Sequence, residues 1–218
     1  KLICGDTNPD GPGYKEKVIR TSASGTYKGR KQVIHAGSFV EVANTPIFNQ
    51  LQSFTMQAMI WPTTPDKGRQ TLVSNWSQSK RCGAQLIIEA ENGGVGLCLG
   101  AGKGKVQTVC TGKPLLSHEW YFVAASFDAK TKTIQLMQEP LHSHMRTNDK
   151  AIEKYKTSIS KLPAHNDPLT IGAQFLRQDK GRTVCQNHYN GKIDSPRIAS
   201  KALGLREMEA LKRRSVPD

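Results

Sequence analysis

An all-β fold is what this sequence predicts: an antiparallel sandwich or barrel closed by a short C-terminal helix. Three observations carry that expectation. The hydrophobic period is two along most of the chain. Turn-forming clusters punctuate it, namely TTPDKG, ENGG, GAGKGK, TGKP and DAKT. One late stretch, LREMEALKRR (205–214), breaks the pattern, because Leu205, Met208 and Leu211 recur every three residues with charges between them.

The chain opens on GDTNPDGPG, where Asp6, Asn8, Asp10 and Gly11 spell D-x-N-x-D-G, the beginning of an EF-hand loop. The twelfth place of such a loop needs a bidentate Glu. Here it holds Lys17, with Glu16 one residue early, and Pro9 and Pro12 interrupt the turn. The stretch therefore reads as a Gly/Pro/Asn/Asp entry turn. Residues 1–31 have little period and form a lead-in segment that packs on the sandwich or on a neighbour; residues 32–218 form the sandwich domain.

Strands follow. In FTMQAMIW, Phe54, Met56, Ala58 and Ile60 share one face. TLVSNW (71–76), AQLIIEA (84–90), VGLCLG (95–100), VQTVC (106–110), EWYFVAASFD (119–128) and KTIQLMQ (132–138) continue the set. LTIGA (169–173) and NGKIDSPRIAS (190–200) complete it. The segment 142–168 is polar and charged, and reads as a long excursion with a short helix near Lys150–Tyr155. The final helix covers 205–214.

Composition narrows the class. A chain of 218 residues can bury one sizeable core, or two small ones. It has no apolar run long enough to span a bilayer, so no membrane is expected as a partner. KLICGD lacks the apolar stretch of a signal peptide, and the expected location is cytoplasmic. The cysteines, Cys4, Cys82, Cys98, Cys110 and Cys185, are odd in number and widely spaced without C-x-x-C. That pattern fits free thiols in a reducing compartment better than a disulfide framework or a zinc site. Lys and Arg total 31 against 18 acids, a formal charge of +13, which favours acidic partners. The basic residues are scattered and no recognition motif accompanies them, which disfavours nucleic acid. A solvated basic surface, or docking onto an acidic protein, is the better reading.

Several constellations are candidate sites. Glu89 and Glu91, two apart on an expected strand, would share a face like the acids of retaining glucanases. The third acid of that E-x-D-x-x-E arrangement is replaced by Gly94. His142 and His144 form H-x-H and are candidate metal ligands, although no acid or thiol cluster stands nearby in sequence. His35, His118, His165 and His188 are isolated, and no G-x-S-x-G elbow is present to hold a nucleophilic serine. Trp61, Trp76 and Trp120 are candidate sugar-stacking platforms; each ends or begins an apolar run, which favours core or rim packing. Asp194, polar inside an expected strand, is a candidate cation ligand, with bonding to a neighbouring backbone as the favoured role.

Two resemblances add to this. HEWYFVAASFDAKTKTIQLM resembles the hairpin of laminin-G-like domains, and HYNGKIDSPRIASKALGLREMEAL resembles their closing segment. FTMQAMIWP and LTIGAQ fit earlier strands of the same family. The resemblance covers roughly residues 35–213 and implies a two-sheet antiparallel jelly-roll sandwich, concanavalin A-like, with a short C-terminal helix. A stand-alone carbohydrate-binding lectin-like domain is the alternative function that this resemblance implies. The acids with which many relatives hold calcium are sparse here, and Gln138, Glu139 and Pro140 replace the usual D-G or N-G turn. The lead-in, GDTNPDGPGYKEKVI with SGTYKGRKQVIHAGSFVEV, is similar to the opening of the N,N-dimethylformamidase large subunit. That resemblance implies an accessory, non-catalytic domain of an iron-dependent amidase, whose iron sits in a separate catalytic domain. Its implied partners are other domains or subunits of the same enzyme, or a second copy. No catalytic or cofactor-binding residue is implied in this chain.

Overall fold

The computed structural model describes residues 2–3, 26–27, 30–31, 38–42, 51–142 and 148–215. The Asp6–Gly11 stretch and His144 lie outside the described residues. The strands begin with β1 (Leu2–Ile3), β2 (Thr26–Tyr27), β3 (Arg30–Lys31), β4 (Phe39–Val42), β5 (Phe54–Pro62) and β6 (Gln70–Ser77). Then come β7 (Cys82–Ile88), β8 (Val95–Ala101), β9 (Val106–Cys110), β10 (Tyr121–Asp128) and β11 (Thr133–Pro140). The last are β12 (Ala151–Lys156), β13 (Leu169–Ile171), β14 (Gln174–Asp179), β15 (Arg182–Gln186) and β16 (Gly191–Ala199), followed by helix α1 (Leu205–Ser215).

These strands make two main sheets. The seven-stranded sheet runs β1-β4-β13-β6-β7-β8-β9 and the five-stranded sheet runs β12-β11-β10-β5-β16. Every pairing within them is antiparallel. The sheets meet over one core. Phe54, Met56, Ala58 and Ile60 of β5 and Tyr121, Val123, Ala125 and Phe127 of β10 face Leu86 and Ile88 of β7 and Leu97 and Leu99 of β8. Phe54 packs on Phe127 with ring centroids 5.6 Å apart. Strict alternation puts these residues on one side because successive side chains of a strand leave opposite faces. β6 departs from it: a bulge between Thr71 and Val73 lets both Leu72 and Val73 enter the core.

The second face of the five-stranded sheet is buried as well. Met59, Phe122, Ala124 and Met137 lie under Met208 of α1, with Trp120, Leu203, Leu205 and Leu211 around them. This explains why YFVAASF is apolar throughout rather than alternating. Two contacts fix the helix. Lys212 reaches Glu139 of β11 at 2.9 Å. At the helix start, the Gly204 amide donates to Glu207 at 2.8 Å, the N3-to-N-cap half of a capping box.

Two expectations are corrected. The short helix near Lys150–Tyr155 is strand β12, paired along its length with β11 from Ala151↔Gln138 to Lys156↔Thr133. Ala, Glu and Lys favour a helix in isolation, but pairing to an open sheet edge and burial of Tyr155 against the core decide the outcome. Glu89 and Glu91 do not share a strand face, because β7 stops at Ile88. The Gly93 amide donates to Glu89 O at 3.0 Å and Gly93 takes φ 66°, so the acids sit in a tight turn that Asn-Gly-Gly dictates.

A buried polar knot gathers around Gln138 of β11. Gln138 Oε1 accepts from the Val95 amide and from Thr111 Oγ1, both at 3.0 Å. Its Nε2 donates to Asp149 O at 2.8 Å and Lys113 O at 3.2 Å. Tyr121 donates its hydroxyl to the buried Asp149 carboxylate and accepts from the Leu116 amide. Burial first, and then the Asp149 hydrogen bond, push the Tyr121 hydroxyl well above the ordinary phenol range.

Candidate functional site

A concave bay on the outer face of the seven-stranded sheet is the candidate site. Leu86 and Leu97 point into the core, so alternation sends Gln85, Ile87 and Cys98 outward. Trp76 lies among them, pairing with Gly83, which in turn pairs with Gly100. A Cβ on Gly100 would stand 2.6 Å from the indole ring and 2.5 Å from Arg81 O. Bare backbone at position 100 is therefore what lets the indole lie against the sheet. Trp76 is only 5% exposed, and its Nε1 donates to Gln78 Oε1 at 3.2 Å.

The hairpin β14–β15 raises one wall. Gln174 Nε2 donates to Gln78 Oε1 at 2.9 Å, and Asn187 Nδ2 donates to Gln174 Oε1 at 3.0 Å. The Thr71 amide donates to Asn187 O at 2.9 Å and ties the hairpin's exit to β6. Asn187 adopts φ 52°, a left-handed conformation that Asn tolerates better than most residues. On the floor, Gln85 Nε2 donates to Ser74 Oγ at 3.2 Å. The bay is open to solvent and about 250 Å³ in volume, with Arg69, Arg81 and Gln186 also lining it.

Its electrostatics are one-sided. The bay is lined by two arginines and by carboxamides, and among the described residues no carboxylate lines it. Arg69 Nε and Nη2 are buried with no hydrogen-bond partner among the described residues. Beside Asn187, His188 stacks edge-on against Phe39 at 6.0 Å, and its Nε2 is buried and without a hydrogen bond among the described residues. Burial, and secondarily the charge of Lys67, push the His188 imidazole down to about 4. Burial also lowers the Lys67 ammonium.

The sequence candidates fall in different places. Trp76 lines the bay. The face of Trp61 is occupied by Lys192, whose Nζ stands 4.7 Å from the ring centroid, and His118 packs on it edge-on at 4.8 Å. Trp120 packs beneath α1. Asp194 is exposed and accepts from the Ser195 amide at 2.7 Å, where β16 bulges and Ser195 takes φ 47°. His142 is exposed. Among the described residues no group of three or more His, Cys, Asp and Glu could hold a metal ion. None of the bay's Gln, Asn and Arg residues was singled out from the sequence. They come from strands far apart in the chain and form no local motif.

Sandwich topology and an outer-face bay define the class as a lectin-like β-sandwich. The model of the concanavalin A-like lectin/glucanases superfamily matches residues 35–208, and the chain belongs to that family. Two curated relatives are N,N-dimethylformamidase beta subunits. The one from Alcaligenes sp is 35% identical over 228 residues, covering 98% of this chain and 29% of the relative. The one from Paracoccus aminophilus is 35% identical over 218 residues, covering 95% of this chain and 28% of the relative. The chain thus spans less than a third of the length of these relatives. Solved structures share the fold. A Ruminococcus gnavus IT-sialidase CBM40 bound to alpha2,3 sialyllactose matches with a TM-score of 0.56 and 16% identity, over 79% of this chain and 95% of that one. A SAP-like pentraxin from Limulus polyphemus matches with a TM-score of 0.53 and 13% identity, over 74% of this chain and 70% of that one. No helix among the described residues is long and apolar enough to cross a membrane.

Proposed function

We propose that this chain is the non-catalytic sandwich domain of a dimethylformamidase-type large subunit, acting in domain or subunit assembly. One observation carries the reading: identity of 35% runs along 98% of this chain, yet the match takes in only 29% of the relative. The larger share of such a subunit remains for the amidase chemistry. The described residues gather no metal-ligating cluster, so the reading assigns the family's iron to that remainder and asks for no metal here. The sandwich offers its basic exterior to a catalytic domain, a small subunit or a second copy. The chain's formal charge of +13 suits an acidic counterpart.

The test is a truncation in the full-length large subunit that removes the region matching residues 1–218. Light scattering on a sizing column reads assembly, and metal analysis reads iron per subunit. The expected result is lost assembly with iron retained. A truncated subunit that assembles and turns over like the intact one refutes the reading.

A further inference from the structure

We infer that one end of the sandwich is the docking surface for an acidic face of a separate subunit. This rests on the assembly reading above and gives it a location. The end is built from the β6–β7, β8–β9 and β10–β11 turns and the segment that follows β12. Hydrogen bonds tie these pieces into one surface. The Gly102 amide donates to Arg81 O at 3.3 Å, and Lys80 Nζ donates to Ala164 O at 3.5 Å. Gln107 Nε2 donates to Lys156 O at 3.1 Å, and the Thr157 amide donates to Lys132 O, also at 3.1 Å.

Cations crowd this end. The β6–β7 turn exposes Lys80 and Arg81, the β8–β9 turn Lys103 and Lys105, and the β10–β11 turn Lys130 and Lys132. None of them is in an ion pair among the described residues, whereas Lys150, Arg177, Lys201 and Lys212 are. Of the acids nearby, Asp128 is engaged by Ser53, Thr131 and the Lys130 amide, and Asp167 lies beside Cys82. Like charges gathered without counter-charges raise a positive field over the end, and an acidic surface relieves it.

The backbone supplies an independent observation. Each of the three turns carries a cation in the left-handed region: Arg81 at φ 50°, Lys103 at φ 50° and Lys132 at φ 52°. That conformation is costly for Arg and Lys, and Asn or Gly would hold it with less strain. A cost kept at three neighbouring turn tips points to a use for the charge there.

Charge and exposure select the occupant. A second copy would bring its own formal charge of +13 against the end. Stacking on bases or insertion into a bilayer needs exposed rings or apolar side chains. The exposed large apolar side chain among the described residues, Leu116, is at the opposite end beside Tyr121. Helix α1 starts near Thr55 at the basic end and runs toward Glu139 at the other, so any chain beyond Ser215 departs away from the cations. A separate acidic polypeptide is the partner that fits.

Calorimetry of the full-length large subunit with its small subunit, at low and at high salt, tests the inference. Arg81→Glu, Lys103→Glu and Lys132→Glu together should weaken binding about tenfold or more and remove most of its salt dependence. Arg197→Glu, Arg206→Glu and Arg213→Glu make the same charge change on other exposed positions and should leave binding close to wild type. Arg81→Asn, Lys103→Asn and Lys132→Asn should also weaken binding while holding or raising the Tm, because Asn tolerates the left-handed backbone. A loss of affinity in that variant is therefore not a loss of fold. Unchanged affinity in the first variant overturns the inference, whether or not its binding to a DNA duplex or to itself changes. So does an equal loss in both glutamate variants. If the truncation above abolishes assembly while the first variant assembles normally, this inference alone fails; if the truncation spares assembly, both fail.

Discussion

Lowering the pH from about 7 to about 5 should destabilise this protein through His188. The unfolded imidazole titrates near 6.5, whereas burial beside Lys67 brings the folded one down to about 4. Between those values the unfolded chain binds a proton that the folded chain refuses. Stability is therefore full above about 6.5 and falls as the pH drops toward 4. Each unit inside that window is worth about 1.4 kcal/mol, so about 2 kcal/mol is gone by about pH 5. Phe39 closes one side of the ring, and among the described residues no acid bonds its buried Nε2 to offset the cost of charging it. Glu139, whose amines Lys212 and Lys150 outweigh its burial, and Asp128 and Glu207, held chiefly by Thr131 and Lys201, all have lowered pKa values. Their losses fall at lower pH. His165 is also lowered by burial and titrates in the same direction as His188, so the comparison must be between variants. Urea unfolding at both pH values, for the wild type and His188→Gln, is the assay. The wild type should lose about 2 kcal/mol more than the variant. Equal losses would refute the account of the buried imidazole.

Other expectations follow from packing and hydrogen bonding. Gly100→Ala drives a methyl into Trp76 and Arg81 O; it should cost about 1–3 kcal/mol and shift the tryptophan emission to the red. Gln138→Ala orphans Val95 N–H and the carbonyls of Lys113 and Asp149; about 3 kcal/mol should be lost, with faster hydrogen exchange at Val95. Met208→Ala empties the contact beneath α1; a loss of about 3 kcal/mol is expected, read as a lower Tm with early loss of the helical circular-dichroism signal.

How much could be read in the sequence depends on where the information sits. β5, β7, β8 and β11 were legible because one face of each fills the core, and a two-residue period is a local signal; β10 was legible as a continuous apolar run bounded by turn signals. The closing segment was legible because α1 needs its apolar residues three or four apart to cover Met59 and Met137. β12 was misread as helix because AIEKYK has helix-forming residues, and only the β11 edge, distant in sequence until folding, makes it a strand. The hairpin β14–β15 escaped notice, since QFLRQDKGRTVCQ is polar and presents only a weak alternation. With it went the bay. Trp76 was a candidate, but Gln78, Gln85, Gln174 and Asn187 converge only once that hairpin folds over β6. Neutral amides give no pattern by which sequence alone could mark them.

Strand β5 sits between β10 and β16, so its two neighbours are made at very different times. Met56 meets Ala125 on one side and Ile198 on the other. During synthesis, β5 waits with one edge unpaired until β16 has left the ribosome, and α1, which covers the same sheet, emerges later still. Such late, non-local closure slows folding and exposes a long apolar strand to other nascent chains. The bulge, Pro196 and the charges of Lys192 and Arg197 on β16 then make sense on a kinetic ground. Once that last strand is in place, its outer edge is a poor template for a further strand, and growth of the sheet stops.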